Sequence, residues 1–326
     1  MREDLLNELE NEYAQLRADN ERTEEMRKEK IRMEQPHIYA LTKERENIVF
    51  GTLRNIVNGT ATKAEDFTER MEKLNEQIRA QLTENGYPAD YLAPVYHCPI
   101  CKDTGKTGDI IKEPCECLKK AYQQKLRKKI GLSSTRAETF DTFDASVYPD
   151  EKISGLDFTQ REMMQLYRTV CEKWANDYPE AEYRDLLLTG STGLGKTFLL
   201  RAMAERLIER DINVLIISAY QMLEILRKSY FENDNSASEL LDAQVLMIDD
   251  LGSEPLMQNV TVEQLFNLLN ERQNRGLSTV ISTNLEMAKF RERYTERIAS
   301  RLRDSRSCKV ISLLGKDIRT GGNLKA

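Results

Sequence analysis

The chain has 326 residues, of which 40% are hydrophobic and 31% are charged, and its formal net charge is −6. This length favours about two or three domains with a folded core and long solvated helices, and the acidic balance argues against a globally basic nucleic-acid binder. The sequence has no run of about eighteen apolar residues and no secretory signal at its acidic start, so we expect a cytosolic protein without membrane contact.

Residues 1–95 are predicted to form three helices, because apolar side chains recur there at helical and heptad-like spacing. The predicted helices are 1–34, His37–Val57 and a third that begins after Thr62 and stops at Asn85, with a break at Asn58-Gly59. Two interpretations of the apolar stripes stay open: packing among the three helices, or a face that binds a partner.

Four of the six cysteines lie close together in the sequence, at Cys98, Cys101, Cys115 and Cys117. In a cytosolic chain such a cluster favours a metal over disulfides. Two close pairs across a turn-rich loop can place four thiolates tetrahedrally, and four protein ligands leave no open position, so the sequence predicts a structural zinc site. His97 is an alternative ligand, and an iron–sulfur cluster or four free thiols are alternative interpretations.

From residue 131 onward, short apolar runs alternate with amphipathic stretches. The runs interpreted as strands are Leu186–Thr189, Val214–Ser218, Val245–Asp249, Thr279–Thr283 and Val310–Leu313. This alternation is typical of an α/β fold with a mostly parallel sheet, here of five strands, flanked by helices.

The segment Gly190–Thr197 reads GSTGLGKT, which fits the phosphate-binding pattern G-x-x-x-x-G-K-[ST] between a predicted strand and a predicted helix. Glycines allow backbone N–H groups to converge on phosphates, and the helix N-terminus adds partial positive charge. We expect Lys196 to reach the β- and γ-phosphates of ATP and Thr197 to hold Mg²⁺. The predicted nucleotide contacts are Gly190, Ser191, Thr192, Gly193, Leu194, Gly195, Lys196, Thr197 and Phe198.

Polar side chains follow two further predicted strands. Asp249 in VLMIDD is suited to bind Mg²⁺, directly or through water, and Asp250 is placed to polarise the attacking water. Asn284 ends the next strand and can orient the same water. Because these acids follow the third predicted strand, the pattern indicates a P-loop protein with an extra strand between the two motif-bearing strands.

Three arginines, Arg297, Arg301 and Arg303, lie on a predicted short helix that is too basic to be a core face. One of them can act as an arginine finger on the γ-phosphate of a neighbouring subunit. The alternative is a set of surface ion pairs with Glu292, Glu296 and Asp304.

Together these motifs resemble an AAA+ ATPase, and their details resemble bacterial helicase loaders of the DnaC/DnaI type, with the transposition helper IstB as a relative. The resembling segments are Ile248–Gly252, Ser282–Asn284, Arg297–Leu302 and Gly315–Arg319. The resemblance covers about residues 135–320, and more loosely the upstream part, because DnaI-like loaders carry an N-terminal helical, zinc-binding domain that contacts the helicase.

The resemblance implies an ATP-regulated protein that places the hexameric replicative helicase on single-stranded DNA and self-assembles through its ATPase domain. It makes Gly190–Thr197 the Walker A motif and Asp249 with Asp250 the Walker B motif. It makes Asn284 sensor 1, Arg301 the arginine finger with Arg297 as its alternate, and Arg319 a sensor-2-like arginine. The family often has Glu where this chain has Asp250.

In this family the segment before Walker B contacts single-stranded DNA, and here that segment is 219–236. Lys228, Tyr230 and Phe231 pair a cation with rings that can stack on bases, although the rings can equally be core residues of their helix. Phe140 and Phe143 resemble the linker that leads toward the adenine.

The predicted organisation is an α-helical, partly coiled-coil partner-binding region at 1–95, a zinc-binding module with a basic linker helix at 96–130, and an AAA+ ATPase domain at 131–326. The leading hypothesis is a helicase loader. The alternatives are an IstB-like transposition helper that recruits a transposase to duplex DNA, and an adaptor that binds ATP only to set a conformation.

Overall fold

The computed structural model describes residues 3–57, 64–132, 138–232, 237–257 and 261–321. The predicted break at Asn58-Gly59 and the predicted start after Thr62 lie outside these residues. The chain divides into two compact units, one of Leu6–Lys119 and the other of Met1–Leu5 with Lys120–Ala326. Within the described residues, none of the helices combines the length and the apolarity needed to span a bilayer.

The N-terminal part consists of the helices α1 (Glu3–Glu34), α2 (Pro36–Val57) and α3 (Ala64–Glu84). Pro36 begins α2 because its fixed φ and missing N–H are tolerated in the first turn of a helix but not in its interior. The apolar side chains that pack into one core are Ile31, Ile38, Leu74, Ile78 and Leu82. They come from all three helices, so the predicted stripes of α2 and α3 pack against each other and against Ile31 of α1.

The cysteine-rich segment contains a small antiparallel hairpin, β1 (Lys106–Thr107) with β2 (Glu113–Pro114), and is followed by α4 (Glu116–Lys129). The predicted basic linker helix therefore corresponds to α4. Leu118, Tyr122 and Leu126 are buried at helical spacing along α4, while its lysines lie on the remaining faces.

The second unit is built on strands β3 (Asp185–Thr189), β4 (Val214–Ser218), β5 (Val245–Leu251), β6 (Ser278–Thr283) and β7 (Cys308–Ser312). Among the described residues these form one sheet in the order β4-β5-β6-β3-β7, with every neighbouring pair parallel. The predicted α/β fold with a five-stranded parallel sheet is confirmed. The strand β6 lies between β3 and β5, as expected for an extra strand between the motif-bearing ones.

The remaining helices are α5 (Gln160–Asp177), α6 (Lys196–Glu209), α7 (Ala219–Glu232), α8 (Ser238–Asp242), α9 (Thr261–Asn274), α10 (Met287–Arg301) and α11 (Ile318–Gly321). The helix α5 begins with a capping box, in which Thr159 and Glu162 satisfy each other's backbone N–H groups. In α10, Thr295 has φ 72° and ψ 158°, so the helix breaks in its second half.

Two predicted strand boundaries were wrong by two residues. The strand β7 begins at Cys308, because it pairs with β3 from Asp185 onward. The strand β5 continues through Leu251, although its register with β6 shifts between Ile248 and Leu251. Ladder partners on a neighbouring strand decide such boundaries, and a local apolar run does not contain that information.

Candidate nucleotide site and metal site

The loop Gly190–Thr197 leads from β3 into α6 with a backbone that requires glycine. Gly190 has φ 146°, and a Cβ built on it would lie 2.4 Å from the carbonyl oxygen of Leu313, which is main chain and cannot turn aside. Gly195, the residue before α6, has φ 85°, and a Cβ there would lie 2.3 Å from the Tyr148 hydroxyl. The loop therefore packs too closely against its surroundings for any side chain at these two positions.

Lys196 is the first residue of α6 and is buried. Its Nζ donates hydrogen bonds to the carbonyl oxygens of Gly190 at 2.8 Å and Ser191 at 2.7 Å, and to Asn284 Oδ1 at 2.5 Å. Burial lowers the pKa of Lys196, an effect that the carboxylates of Asp250 and Asp249 oppose. All three N–H donors of the ammonium are used, so a phosphate oxygen would displace one of these acceptors.

Asp249 faces the hydroxyl of Thr197. The Thr197 Oγ1 donates to Asp249 Oδ2 at 3.0 Å, and Ser282 Oγ donates to Asp249 Oδ1 at 2.6 Å. A carboxylate beside a hydroxyl at the end of the P-loop is the pair that holds Mg²⁺ in P-loop proteins.

Ser282 is a residue that the motif analysis did not assign to the site. It is buried, and its Oγ also accepts a hydrogen bond from the backbone N–H of Asp250 at 2.8 Å. One hydroxyl thus orients both consecutive acids. Its position in the sequence could have identified Ser282 as a site residue. It lies two residues before Asn284, and side chains two residues apart point to the same face of an extended strand.

Asp250 has φ 58°, in the left-handed region, at the point where the register of β5 shifts. This local bend lets its carboxylate accept a hydrogen bond from Asn284 Nδ2. The structure therefore brings the second acid and the amide at the end of β6 into direct contact.

A cavity of about 490 Å³ lies over these groups. Its lining includes the predicted residues Thr192, Gly193, Leu194, Gly195, Lys196, Thr197, Phe198, Asp249, Asp250, Asn284 and Arg319. Arg319 comes from α11, whose start is fixed by a hydrogen bond from the Arg319 backbone N–H to Asp317 Oδ1 at 2.8 Å. Gly190 and Ser191 contribute through their carbonyl contacts with Lys196.

The predicted finger residues lie away from this cavity. The guanidinium groups of Arg297 and Arg301 stack on the ring of Phe266, at 4.6 Å and 4.7 Å from its centroid. Arg301 Nη1 also donates to Gln273 Oε1 at 2.8 Å. Neither arginine lines the nucleotide cavity of its own chain, so any contact with ATP would involve a neighbouring chain.

Two details of the arginine prediction were wrong. Arg303 follows the end of α10 at Arg301, and the segment has a core face, since Ile298 and Ala299 are buried. Two of the three acids proposed as partners for these arginines pair elsewhere: Glu296 with Arg291 at 3.4 Å and Asp304 with Arg306 at 2.7 Å.

The aromatic residues near the end of α7 are exposed. The exposed fraction is 56% for Tyr230 and 60% for Phe231, and their rings meet edge to face with centroids 5.0 Å apart. Lys228 on the same helix is exposed as well. The interpretation of these two rings as core residues was therefore wrong.

The two linker phenylalanines, Phe140 and Phe143, differ in what their rings contact. Phe140 is buried beneath the guanidinium groups of Arg168 and Arg206. Phe143 contacts Phe198, with ring centroids 5.8 Å apart, and Phe198 lines the nucleotide cavity. The linker is thus connected to the nucleotide cavity through Phe143.

The four clustered cysteines converge, with all sulfur atoms within 4.8 Å of one another. Cys98 Sγ lies 3.9 Å from Cys115 Sγ, and Cys101 Sγ lies 3.4 Å from Cys117 Sγ. A tetrahedral zinc with Zn–S bonds of about 2.3 Å requires sulfur separations of about 3.8 Å, so this donor set fits zinc. Backbone N–H contact, first of all from Cys101, lowers the pKa of the Cys98 thiol to about 7, which favours a thiolate there.

His97 lies outside this sulfur cluster. Its ring is exposed and its Nδ1 lies 3.7 Å from Asp103 Oδ2. The carboxylate of Asp103 is buried and accepts hydrogen bonds from the backbone N–H groups of His97 at 2.9 Å and Cys98 at 2.7 Å. Asp103 therefore shapes the turn that carries Cys98, and the geometry favours four cysteines over a set that includes His97 as the candidate ligands.

The helix α1 is bound to this cysteine module by polar contacts that the sequence pattern did not predict. Asn20 Nδ2 donates to Asp103 Oδ2 at 2.8 Å, and Arg17 Nη1 donates to the Asp103 carbonyl at 2.9 Å. Glu24 Oε1 accepts from the backbone N–H of Val95 at 2.9 Å. Asn20 is buried, and its side chain has a hydrogen-bond partner there in Asp103.

Comparisons with known proteins agree with this arrangement. The sequence profile of the family described as IstB-like ATP binding protein matches residues 133–326, which is more than half of the chain. The replicative helicase loader DnaI of Bacillus subtilis is 24% identical over 288 residues, which make up 86% of this chain and 84% of DnaI. An insertion sequence IS21-like ATP-binding protein of Bacteroides fragilis is 26% identical over 212 residues, or 62% of this chain and 74% of that protein. A crystal structure of DnaI, 25% identical, covers 56% of this chain and 90% of its own with a TM-score of 0.42.

Proposed function

The chain belongs to the family of IstB-like ATP binding proteins, and from this membership we propose that it is a Mg²⁺-dependent ATPase that loads a hexameric replicative helicase onto single-stranded DNA. The observation that carries the ATPase part of the proposal is the meeting of Lys196, Thr197, Asp249, Asp250 and Asn284 around one cavity at the ends of three parallel strands.

Each of these side chains has a role in the proposed hydrolysis. Thr197 and Asp249 would hold Mg²⁺, which supplies positive charge beside the phosphates when bound. Lys196 binds the β- and γ-phosphate oxygens, and backbone N–H groups of the P-loop bind the rest of the triphosphate. Asp250 polarises the attacking water, and Asn284 orients Asp250 through the hydrogen bond described above.

The proposed site is completed by a second copy of the chain. Arg301, with Arg297 as its alternate, would approach the γ-phosphate bound to the neighbour and stabilise its charge in the transition state. Their stacking on Phe266, outside the cavity of their own chain, supports action in trans. Arg319 lines the cavity itself and would sense the phosphates in cis.

The proposed partners follow from the upstream part of the chain. The similarity to the helicase loader DnaI takes up 86% of the chain and so extends well before residue 133, where the family match begins. This extent supports a loader over a transposition helper. In this proposal residues 1–95 bind the helicase, residues 96–130 hold a structural zinc through the four cysteines, and residues 131–326 form the ATPase domain that self-assembles.

The test combines the purified chain with the replicative helicase of the same organism and a circular single-stranded DNA. Wild-type chain and ATP should increase the amount of helicase that co-elutes with the circle. Lys196→Ala should abolish ATP binding and loading, whereas Lys173→Ala, a change of an exposed lysine on α5, should leave both intact. Failure of the wild-type chain to load helicase while it still hydrolyses ATP would refute the loader role.

A transposition helper is the second candidate, because the chain is also similar to an insertion sequence ATP-binding protein. It predicts ATP-dependent binding to duplex DNA and capture of a transposase instead of a helicase. The third candidate, an ATP-switched adaptor, predicts background ATPase activity even with helicase and single-stranded DNA present. In that case Asp250→Asn would not alter helicase binding.

A further inference from the structure

A buried carboxylate connects the loop after the catalytic acids to the segment that carries the finger arginines. Glu254 follows Asp250 by four residues, and its side chain is fully buried. Its Oε2 accepts a hydrogen bond from the backbone N–H of Gly252 at 2.8 Å, which turns the carboxylate back onto the loop that leaves β5. A buried carboxylate is costly unless it is hydrogen-bonded, so this one requires partners on its other side as well.

Those partners are two consecutive residues of α10. Tyr294 donates from its hydroxyl to Glu254 Oε1, and Arg293 donates from Nη2 to the Glu254 carbonyl. Tyr294 is itself fully buried and packs against Phe290, with ring centroids 4.8 Å apart. Burial and the neighbouring Glu254 carboxylate raise the pKa of Tyr294 far above its usual range, so its hydroxyl keeps the proton that it donates.

The break in α10 follows Tyr294 immediately. Thr295 has φ 72°, a conformation that a β-branched residue adopts only when its surroundings impose it. The residues after the break, 296–301, form the arginine segment, which carries Arg297 and Arg301. The direction of this segment therefore depends on how residues 293 and 294 are held.

We propose that Glu254 and Tyr294 are positioning residues that set the arginine segment according to the state of the loop after Asp250, so that the nucleotide site of one chain controls the arginines it presents to its neighbour. The path is short: Asp250 to the Gly252 N–H, through the Glu254 carboxylate to the Tyr294 hydroxyl, and across Thr295 to Arg297. This inference rests on the proposed function, because it assumes that Arg301 or Arg297 acts on ATP bound by another chain.

The ring of Phe266 holds the two guanidinium groups of the arginine segment in a defined position. Both guanidinium groups stack on its ring, and a cavity of about 610 Å³ beside Arg297 is lined by Thr295, Phe266 and other residues of α9. A rotation at Thr295 would carry both arginines off this ring. The hydrogen bond from Tyr294 to Glu254 opposes such a rotation.

The test is a mixing experiment that separates cis from trans effects. Tyr294→Phe removes only the hydroxyl and keeps the ring packing with Phe290. We expect its kcat for ATP to fall about 100-fold, because a misplacement of about 1 Å at a reacting group has an effect of this size, while KM for ATP stays unchanged. Adding excess Asp249→Asn chains, which keep the P-loop, Asp250 and both arginines but lack the carboxylate proposed to hold Mg²⁺ for hydrolysis, should restore the activity of the Tyr294→Phe sites.

Two controls make the outcome decisive. Arg301→Ala and Arg297→Ala chains, mixed with Asp249→Asn chains, report whether an arginine acts in trans at all. If neither is rescued, the shared site and this inference both fail. If one of these arginine variants is rescued, the shared site stands. The positioning role is then refuted if Tyr294→Phe keeps a normal kcat, or if its kcat falls and is not restored by mixing. Glu254→Gln, which keeps the side-chain shape but exchanges one acceptor oxygen for a donor, should behave like Tyr294→Phe and covers the case that the latter does not fold.

Discussion

One serine hydroxyl contacts both of the acids that we propose as catalytic. Ser282 donates to Asp249 and accepts from the backbone of Asp250, and its burial removes competition from water. A hydroxyl with two defined partners in a buried position holds a carboxylate more rigidly than solvent does. Ligands of Mg²⁺ must meet strict distances, so this rigidity matters for the proposed chemistry.

We therefore expect Ser282→Ala to weaken Mg²⁺-dependent ATP turnover by about 10-fold to 100-fold, because about 1–3 kcal/mol of hydrogen bonding to Asp249 and Asp250 is lost. The measurement is ATPase rate against Mg²⁺ concentration, which should show a higher Mg²⁺ requirement. Ser312→Ala, at an exposed position on β7, is the matched control and should behave as wild type. An unchanged Mg²⁺ dependence in Ser282→Ala would contradict the assigned role.

At the scale of single elements, α7 ends in exposed aromatic rings that make little contact with the core. Exposed rings beside a lysine form a platform on which bases can stack, and stacking tolerates any sequence. The neighbouring residues 233–236, which complete the predicted DNA-binding segment, lie outside the described part of the chain. The exposure of Tyr230 and Phe231 thus favours a binding surface over a structural role.

The double variant Tyr230→Ala with Phe231→Ala should weaken binding to single-stranded DNA by about 10-fold to 100-fold, since each stacked base contributes about 1–3 kcal/mol. Thermal stability should be unchanged, because both side chains are exposed. Fluorescence anisotropy with a labelled oligonucleotide measures the affinity. Tyr220→Ala, at an equally exposed tyrosine at the start of α7, provides the control, and an equal loss there would argue against a specific platform.

Also at the scale of elements, polar contacts join the helix α1 to the cysteine module. Asp103 accepts hydrogen bonds from Asn20 and from the turn that carries Cys98, so one buried carboxylate joins the helix to the metal-binding loop. Burial raises the pKa of Asp103, whereas these hydrogen bonds lower it. Together they leave the pKa of Asp103 below its usual value. The ionised form therefore carries the contact at neutral pH.

Asp103→Asn should destabilise the unit by about 1–3 kcal/mol, because an amide cannot accept all of these hydrogen bonds and leaves buried donors unpaired. Hydrogen exchange should show faster exchange in α1 around Asn20 and in the turn at Cys98. Asp109→Asn, an exposed change in the same module, is the control. Equal protection in both variants would show that Asp103 does not anchor α1.

At the scale of the whole molecule, the candidate metal site and the candidate nucleotide site belong to different compact units. The four cysteines lie within Leu6–Lys119, whereas the residues that line the nucleotide cavity lie within the unit that includes Lys120–Ala326. The cysteine module has only two-residue strands, so a metal would supply order that a small core cannot.

Removing zinc with a selective chelator, in excess Mg²⁺, should therefore reduce hydrogen-exchange protection in residues 98–117 and in the part of α1 that contacts them. ATP binding should persist, because none of the residues lining its cavity belongs to that unit. Metal analysis before and after treatment, with ATP affinity measured on the same samples, checks both parts. Parallel loss of ATP affinity would show that the two sites are coupled.

Local chemistry in the sequence was enough to predict the nucleotide loop, the strands and the cysteine cluster. Glycines at 190, 193 and 195 mark a loop that no other residue type can form, and apolar runs of strand length mark a parallel sheet. These features depend on residues within a few positions of one another. Periodicity and steric requirements of that range are visible in any sequence.

Tertiary structure decided the contacts between distant residues. Ser282 meets Asp249 across 33 positions because β6 and β5 are neighbours in the sheet, and Tyr294 meets Glu254 across 40 because α10 packs against the loop after β5. Tertiary structure also decided the exposure of Tyr230 and the stacking of Arg297 on Phe266. The composition of a segment does not specify which neighbour covers it, because burial is a property of the packed molecule.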